Sequence, residues 1–358
     1  MVKKKYKMLN YHDRLKIEIM FNKKFSVKEI ASEIGSSKSN IYKELKIGKY
    51  FRIVNDKKVK GYSADIAEQK HTFNKSNRGP GLKIDKDIEF ANFIEFEICE
   101  NKLSPEAILL KLKNNPDEYN FKTVISSPNT IYSYIDKGVF LRAERKHLPT
   151  IRKKKAKKKA VVVHRKVPEG YSIENRNENL NVLDRNEFGH FEGDTVVSGD
   201  GDKSAILVLT ERKTRFPIFI KISRNTSYEV ARAFDRIERA FGAATYKIIK
   251  SVTFDNGSEF SGYEAIEKAK RRKGKRFDMY YAHPYSPYER GSNENNNRFI
   301  RRWYPKGTKF KNVLQKQIFE LQKWVSEYPR RMFNGKSSKD LFIEELKNLG
   351  IDYTRLAI

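Results

Sequence analysis

Three acidic residues in the second half of the chain stand where a bare carboxylate needs a chemical reason. Asp194 follows Gly193 and leads straight into the β-rich run "TVV". Asp255 closes the run "VTF" and opens "DNG", a turn signal that directs its carboxylate out of the end of a strand. Glu294 sits in "NENNN" at the start of a helical stretch, among flat polar side chains that are poor core material. A buried charge is costly unless it is paired or coordinates a metal. Three carboxylates can serve two Mg²⁺ ions, because each ion keeps several waters and takes only one or two carboxylates. Two such ions, roughly 3.5–4 Å apart, support in-line displacement at a phosphodiester, with Mn²⁺ as a substitute. Glu289 competes with Glu294 as the third ligand, since a shorter spacing after Asp255 would select it. The basic stretch "KAKRRKGKR" at 268–276 accounts for the longer separation as a surface insertion, which loops absorb at small entropic cost.

Polar neighbours extend this set. Asn293 and Asn297 are placed to hydrogen bond DNA or to orient a carboxylate, and Arg298, Arg301 and Arg302, with Arg290, to contact phosphates. His190 and Glu192 alternate with Asp194 along its run and read as packing residues before any supporting role.

The elements that position these residues follow an α/β order. "HFEGDTVV", "SAILVLTER" and "FPIFIKI" are three short β-rich runs between polar turns, a meander. "SYEVARAFDRIERAF" then has helical period, with Val230, Phe234, Ile237 and Phe241 inward. "KIIKSVTF" predicts a fourth strand, "SGYEAIEKAKRR" a helix, "RFDMYYA" a fifth strand, and a last helix starts near 289 and runs toward "RFIRRWY". Three strands, helix, strand, helix, strand, helix is the RNase H-like order.

The first half is helical. "YHDRLKIEIMF" places Leu15, Ile19 and Met20 at helical spacing. Ser26 with Glu29 three residues on forms a capping box, Ile30, Ala31 and Ile34 form an inner face, and Gly35 supplies a C-cap. A second helix restarts at Ser36 or Ser37, completing a helix-turn-helix. Its outward residues Lys38, Ser39, Asn40 and Lys43 suit major-groove edges and phosphates. A looser second unit spans 82–145, where Ser104-Pro105 and Ser127-Pro128 each begin a helix with Pro at its first position, and Asn129 is a further candidate DNA contact. "KSNRGPG" at 75–81 has linker composition, and "RKKKAKKK" at 152–159, seven basic residues in eight, behaves as a solvated arm. The expected domains are 1–74 and 82–145 (DNA-reading), a basic linker 146–180, a catalytic domain 181–345 and a tail 346–358.

Charge supports this reading. Lys and Arg number 74 against 45 Asp and Glu, a formal +29, which calls for a polyanionic partner. Nucleic acid fits, and no apolar run approaches the roughly 20 residues that span a bilayer. The single Cys99 excludes an internal disulfide and a cysteine-based zinc cluster, and the expected setting is the cytoplasm.

Together, "FGHFEGDTVV", "LVLTERKTRF", "VTFDNGSEF" and "PYSPYERGSNENNNRFIRRWYPKGTKF" closely resemble the insertion-sequence transposases of the family numbered thirty, bacterial mobile-element enzymes of the DDE superfamily. The likeness extends to "FSVKEIASEIGSSKSNIYKEL", "GYSADIAEQK" and "LSPEAILLKL", in order, in the first half. It implies an acidic triad at Asp194, Asp255 and Glu294 and a multidomain chain with helix-turn-helix regions before an RNase H-like, integrase-type catalytic domain. It also implies binding of terminal inverted repeats and target DNA, strand cleavage and transfer, and a dimer or higher oligomer on DNA. Phe191 and Tyr288 stand where the family usually has Trp, and Glu289 where it has Gln. A DNA-binding regulator with a non-catalytic RNase H-like domain is the alternative, and a sequence-independent nuclease a further rival.

Overall fold

The computed structural model describes residues 8–54, 56–76, 81–85, 87–149, 167–168, 170–177, 184–283 and 291–356. Its contacts divide the chain into two units, Met1–Leu82 and Lys83–Ile358.

In the first unit, helices α1 (Tyr11–Asn22), α2 (Val27–Ile34) and α3 (Lys38–Ile47) surround Ile17, Ile30, Ile34 and Ile41. The Ser26–Glu29 capping box is present, Gly35 ends α2 in the left-handed region (φ 70°), and Ser37 caps α3. The inward face of α1 differs from the apolar spacing. Leu15 and Ile19 are exposed, whereas Asp13, Arg14 and Ile17 are buried. Arg14 turns the helix inward, because its Nε donates to Glu44 Oε1 (2.8 Å) and its Nη1 to Glu68 Oε2 (2.7 Å). Beyond α3 comes a hairpin that the sequence reading did not anticipate, β1 (Lys49–Val54) antiparallel to β2 (Lys57–Tyr62). Helix α4 (Ala64–Ser76) follows. Most of the 75–81 segment, 77–80, lies outside the described residues.

The second unit begins with α5 (Ile88–Cys99), α6 (Pro105–Asn114) and α7 (Pro128–Asp136), the last two capped by Ser104 and Ser127 with Pro at the first turn. A short α8 (Ile173–Asn177) leads toward β3 (His190–Val197), β4 (Ala205–Glu211) and β5 (Pro217–Ile222). Then come α9 (Ser227–Phe241), α10 (Thr245–Ile248), β6 (Ser251–Phe254), α11 (Tyr263–Glu267) and β7 (Asp278–Tyr281). The chain closes with α12 (Gly291–Trp303), α13 (Gln315–Glu327) and α14 (Ser338–Asn348). The sheet order is β5-β4-β3-β6-β7, antiparallel through β3 and parallel beyond it. This is the RNase H-like arrangement read from the sequence, with a mixed sheet covered on both faces. One face packs Phe191, Leu207, Leu209 and Phe254 against α9 and α14, and the other packs Val196, Ile206, Val208 and Phe219 against α12 and α13.

Two elements are shorter than predicted. Lys247 and Ile248 of "KIIKSVTF" belong to the helix Thr245–Ile248, and only Ser251–Phe254 pair as a strand. The "SGYEAIEKAKRR" helix stops at Glu267, where the basic stretch folds back through a Lys268–Lys275 bridge. That stretch is exposed along most of its length but anchored at its end. Arg276 is 1% exposed and pairs with Asp235 (2.7 Å) and Glu238 (3.3 Å). The α5–α6 region packs into the larger unit. Trp324 Nε1 donates to Asn101 O (2.7 Å), and Tyr328 Oη accepts from Ser104 N (3.0 Å). The basic run 152–159 and the 178–183 stretch lie outside the described residues.

Candidate active site

The "EGD" of β3 assigns one task to each residue. Side chains alternate across a strand, so Glu192 and Asp194 share the face covered by α12. Glu192 is fully buried, and its carboxylate accepts from Ser292 N (2.9 Å), Ser292 Oγ (3.1 Å) and Asn293 N (3.2 Å), the opening amides of α12. An anion there satisfies orphan amides and meets the positive end of the helix dipole. Gly193 leaves room for a ring: a Cβ at that position would lie 2.2 Å from Phe254 Cε1. Asp194 accepts from Asn297 Nδ2 (2.7 Å) through Oδ2 and from Thr195 N (2.8 Å) through Oδ1.

Asp255 comes directly after β6, the parallel neighbour of β3. Glu192 pairs with Thr253 in that register, so Asp194 and Asp255 both lie two residues beyond one cross-strand pair. Neighbouring strands run about 4.8 Å apart, so this register brings Asp194 of β3 level with the point where β6 ends and Asp255 follows. The DNG turn is closed by Gly257 N donating to Asp255 Oδ1 (3.1 Å).

Glu294 is exposed in the first turn of α12, and three residues on Asn297 bonds Asp194, so helical spacing stacks Glu294 one turn above that contact. Glu294 lines a cleft of about 900 Å³ together with Thr195, Asn297, Arg298, Arg301 and Arg302, and Lys102 and Lys146 line it as well. Among the described residues no group of three or more His, Cys, Asp or Glu side chains is close enough to hold a metal ion. Glu289 and Arg290 lie outside the described residues.

The motif "TERKTR" at the end of β4 supplies the support that the sequence reading left unassigned. Thr210 Oγ1 donates to Asn293 Oδ1 and accepts from Asn296 Nδ2 (2.8 Å). Arg212 Nε lies 3.5 Å from Glu192, and Arg215 Nη1 donates to Ser292 Oγ. Burial pulls the Arg215 guanidinium down to about 10, and Arg330, which reaches Asn296 Oδ1 at 3.4 Å, likewise to about 10. A cationic base thus surrounds the Glu192 carboxylate under α12. Glu259 is a second unassigned carboxylate, accepting from Thr195 Oγ1 (2.8 Å) and Asn225 Nδ2 (3.2 Å) beside Asp255. The spacing of "DNGSEF" offered a signal for it, but only the fold shows its partners.

The predicted DNA contacts separate accordingly. Asn293 is 1% exposed and bonded to Thr210, so it faces the protein core and the expectation of a DNA contact is corrected. Asn297 instead donates to the Asp194 carboxylate. Arg298 is exposed, whereas Arg301 is tied by Nη2 to Val197 O (2.9 Å) and Arg302 stacks on Trp324 at 5.6 Å. In α3, Lys38, Ser39 and Lys43 are exposed, and Asn40 Nδ2 donates to Ser36 Oγ (2.9 Å). Asn129 is exposed at the start of α7.

A helix-turn-helix domain family matches residues 5–47. A probable transposase for the insertion-like sequence element IS1161 of Streptococcus salivarius is 37% identical over 224 residues, covering 61% of this chain and 59% of that protein. The transposase for insertion sequence element IS1086 of Cupriavidus metallidurans is 27% identical, covering 97% of this chain and 98% of its own. Transposase InsI for IS30A of Escherichia coli is 25% identical, covering 93% and 82%. The catalytic core domain of BIV integrase aligns over 45% of this chain and 98% of its own, at 14% identity and a TM-score of 0.33. The fold assignment rests on the strand order rather than on that alignment. Transposases of insertion sequences, that of IS30A among them, align with the chain nearly from end to end, and the chain is similar to them throughout.

Proposed function

We propose that the chain cleaves DNA strands at the ends of its element and joins them to target DNA, with Asp194, Asp255 and Glu294 as its metal-holding carboxylates. The observation that carries this reading is the β3–β6 register, which puts Asp194 and Asp255 each two residues beyond the Glu192–Thr253 pair, with the helix of Glu294 fixed to β3 through Glu192. The donor set fits Mg²⁺ or Mn²⁺, since it consists of hard oxygens and two carboxylates leave coordination positions for water and phosphate. When bound, such ions activate an oxygen nucleophile and stabilise the leaving 3′-oxygen.

The chain's own residues prepare that chemistry. Asn297 fixes the orientation of the Asp194 carboxylate. Glu192 and the arginines beneath α12 hold its first turn, and hence the backbone of Glu294, against β3. Exposed Arg298 supplies a phosphate contact at the cleft. Helix α3 reads the terminal repeats through Lys38, Ser39 and Lys43 in the major groove, and two copies of the chain hold two element ends together.

The test is strand transfer of short duplexes ending in the element's repeats, with Mg²⁺ or Mn²⁺. Asp194→Ala, Asp255→Ala and Glu294→Ala are each expected to abolish joining while leaving duplex binding in place. Joining that survives all three substitutions overturns the assignment, and Glu289→Gln tests the competing third ligand.

A further inference from the structure

The hairpin β1–β2 begins two residues beyond the matched helix-turn-helix segment, and among the described residues its outer half is exposed on both strands. Phe51–Val54 and Lys57–Lys60 are exposed on both strands, so neither face of the outer ribbon is covered. An isolated two-stranded hairpin is marginal in water, because a ribbon buries too little to offset its ordering. Its composition also does not suit solvent. Ile53 is 77% exposed and Phe51 50%, and both lie on the face that carries Lys58 and Lys60. The cross-strand pairs are Phe51 with Lys60 and Ile53 with Lys58, and Lys49 Nζ sits over the Phe51 ring at 4.3 Å. Arg52 and Lys57 occupy the opposite face with Val54 and Val59. The two strands hold five basic residues and no acidic one.

We infer that this hairpin is a second DNA-contacting element, a two-stranded ribbon whose lysines meet phosphates while Ile53 and Phe51 press on the sugar and base edges of a groove. This goes beyond the helix-turn-helix and rests on the chain being a DNA-binding transposase, but not on the carboxylate assignment. A ribbon of two strands fits the width of a DNA groove, and apolar side chains are used as wedges at base steps. Charge selects this partner over a protein surface, since a patch of cations interleaved with apolar groups matches a phosphate-lined groove.

The single Cys99 makes a site-specific test simple. In full-length chain carrying Cys99→Ser, Ile53→Cys is labelled with a maleimide with and without a mixed-sequence 40-base-pair duplex, and Leu314→Cys, exposed on the other unit and outside the lining of the cleft, serves as control. At duplex ten times its dissociation constant, mass action makes labelling at position 53 about tenfold slower, with the control unchanged. In parallel, Lys57→Glu with Lys58→Glu and Lys60→Glu is expected to lower the salt slope of duplex binding by about 2.7, roughly 0.9 for each lost phosphate contact. Unchanged labelling at position 53 while anisotropy shows the duplex bound overturns the inference. So does protection by anionic vesicles but not by DNA, or protection that follows protein concentration without DNA, which would assign the ribbon to a membrane surface or a second copy. Because labelling needs no catalysis, failure of the carboxylate assignment would leave this result standing.

Discussion

At the scale of single residues, the candidate site depends on groups that touch no substrate. Asn297 joins the helix of Glu294 to Asp194 through one hydrogen bond. Asn297→Ala is expected to lower joining strongly while costing stability only about 1 kcal/mol, the net value of one such bond, which thermal melts alongside strand-transfer rates would resolve. Glu192 is different, because Arg212 beside it is also buried. Removing one partner of a buried pair leaves an uncompensated charge, so Glu192→Ala should cost about 3–5 kcal/mol in denaturant titrations. His190 gives a pH signature. Its Nδ1 lies 2.7 Å from Ser251 Oγ, and burial lowers its pKa below the ordinary imidazole value. A base with a lowered folded pKa stays neutral in the fold. Its contribution is therefore complete above about pH 6.5 and lost as pH falls through that value, because the unfolded chain binds the proton more readily. Melting temperatures measured from pH 7.5 down to 5 should fall less steeply in His190→Asn than in the parent chain.

At the scale of elements, the strand β3 and the helix α12 act as one piece. Gly193 lets the Phe254 ring lie across the strand, and Gly193→Ala forces that ring or the backbone to move. The expected loss is about 1–3 kcal/mol, as for other overpacked cores, together with reduced joining as Asp194 and Asp255 lose their level placement. A stable variant with full activity would show that the register tolerates more than the geometry allows. In the smaller unit the analogous piece is Arg14, which ties α1 to α3 and α4. Arg14→Met leaves Glu44 buried without its charge partner and should lower the melting of Met1–Leu82 while sparing the larger unit, visible as two separated calorimetric transitions.

At the scale of the whole molecule, the formal charge of +29 sets how the chain meets DNA. Affinity should fall linearly with log salt, and Lys43→Ala in α3 should reduce that slope by about 0.9, the share of one phosphate contact in duplex DNA. Among the described residues no helix is long and apolar enough to cross a membrane. Two active sites are needed to join two ends, so light scattering with repeat-ended duplex should report at least two copies per complex, whereas a single copy on each duplex would contradict the paired arrangement.

The sequence by itself determined the Ser26–Glu29 capping box, the five strands in order, and the places of Asp194 in the first strand and Asp255 at the end of the fourth, because these are local signals: a cap or a turn acts within four residues, and strand alternation repeats every two. The Asn55–Asp56 pair between "FRIV" and "KKVKGY" was such a signal for the hairpin and went unused. Only the tertiary structure decided which polar residues face inward. Arg14 and Glu44, Glu192 with Ser292, and Asn297 with Asp194 meet across 30, 100 and 103 positions of sequence. A polar side chain carries no pattern that distinguishes a solvated face from a buried, satisfied one, because its burial depends on a partner supplied by another element. That is why Asn293, expected on DNA, lies inside, and why Glu192, expected merely to pack, holds the helix of Glu294 in place.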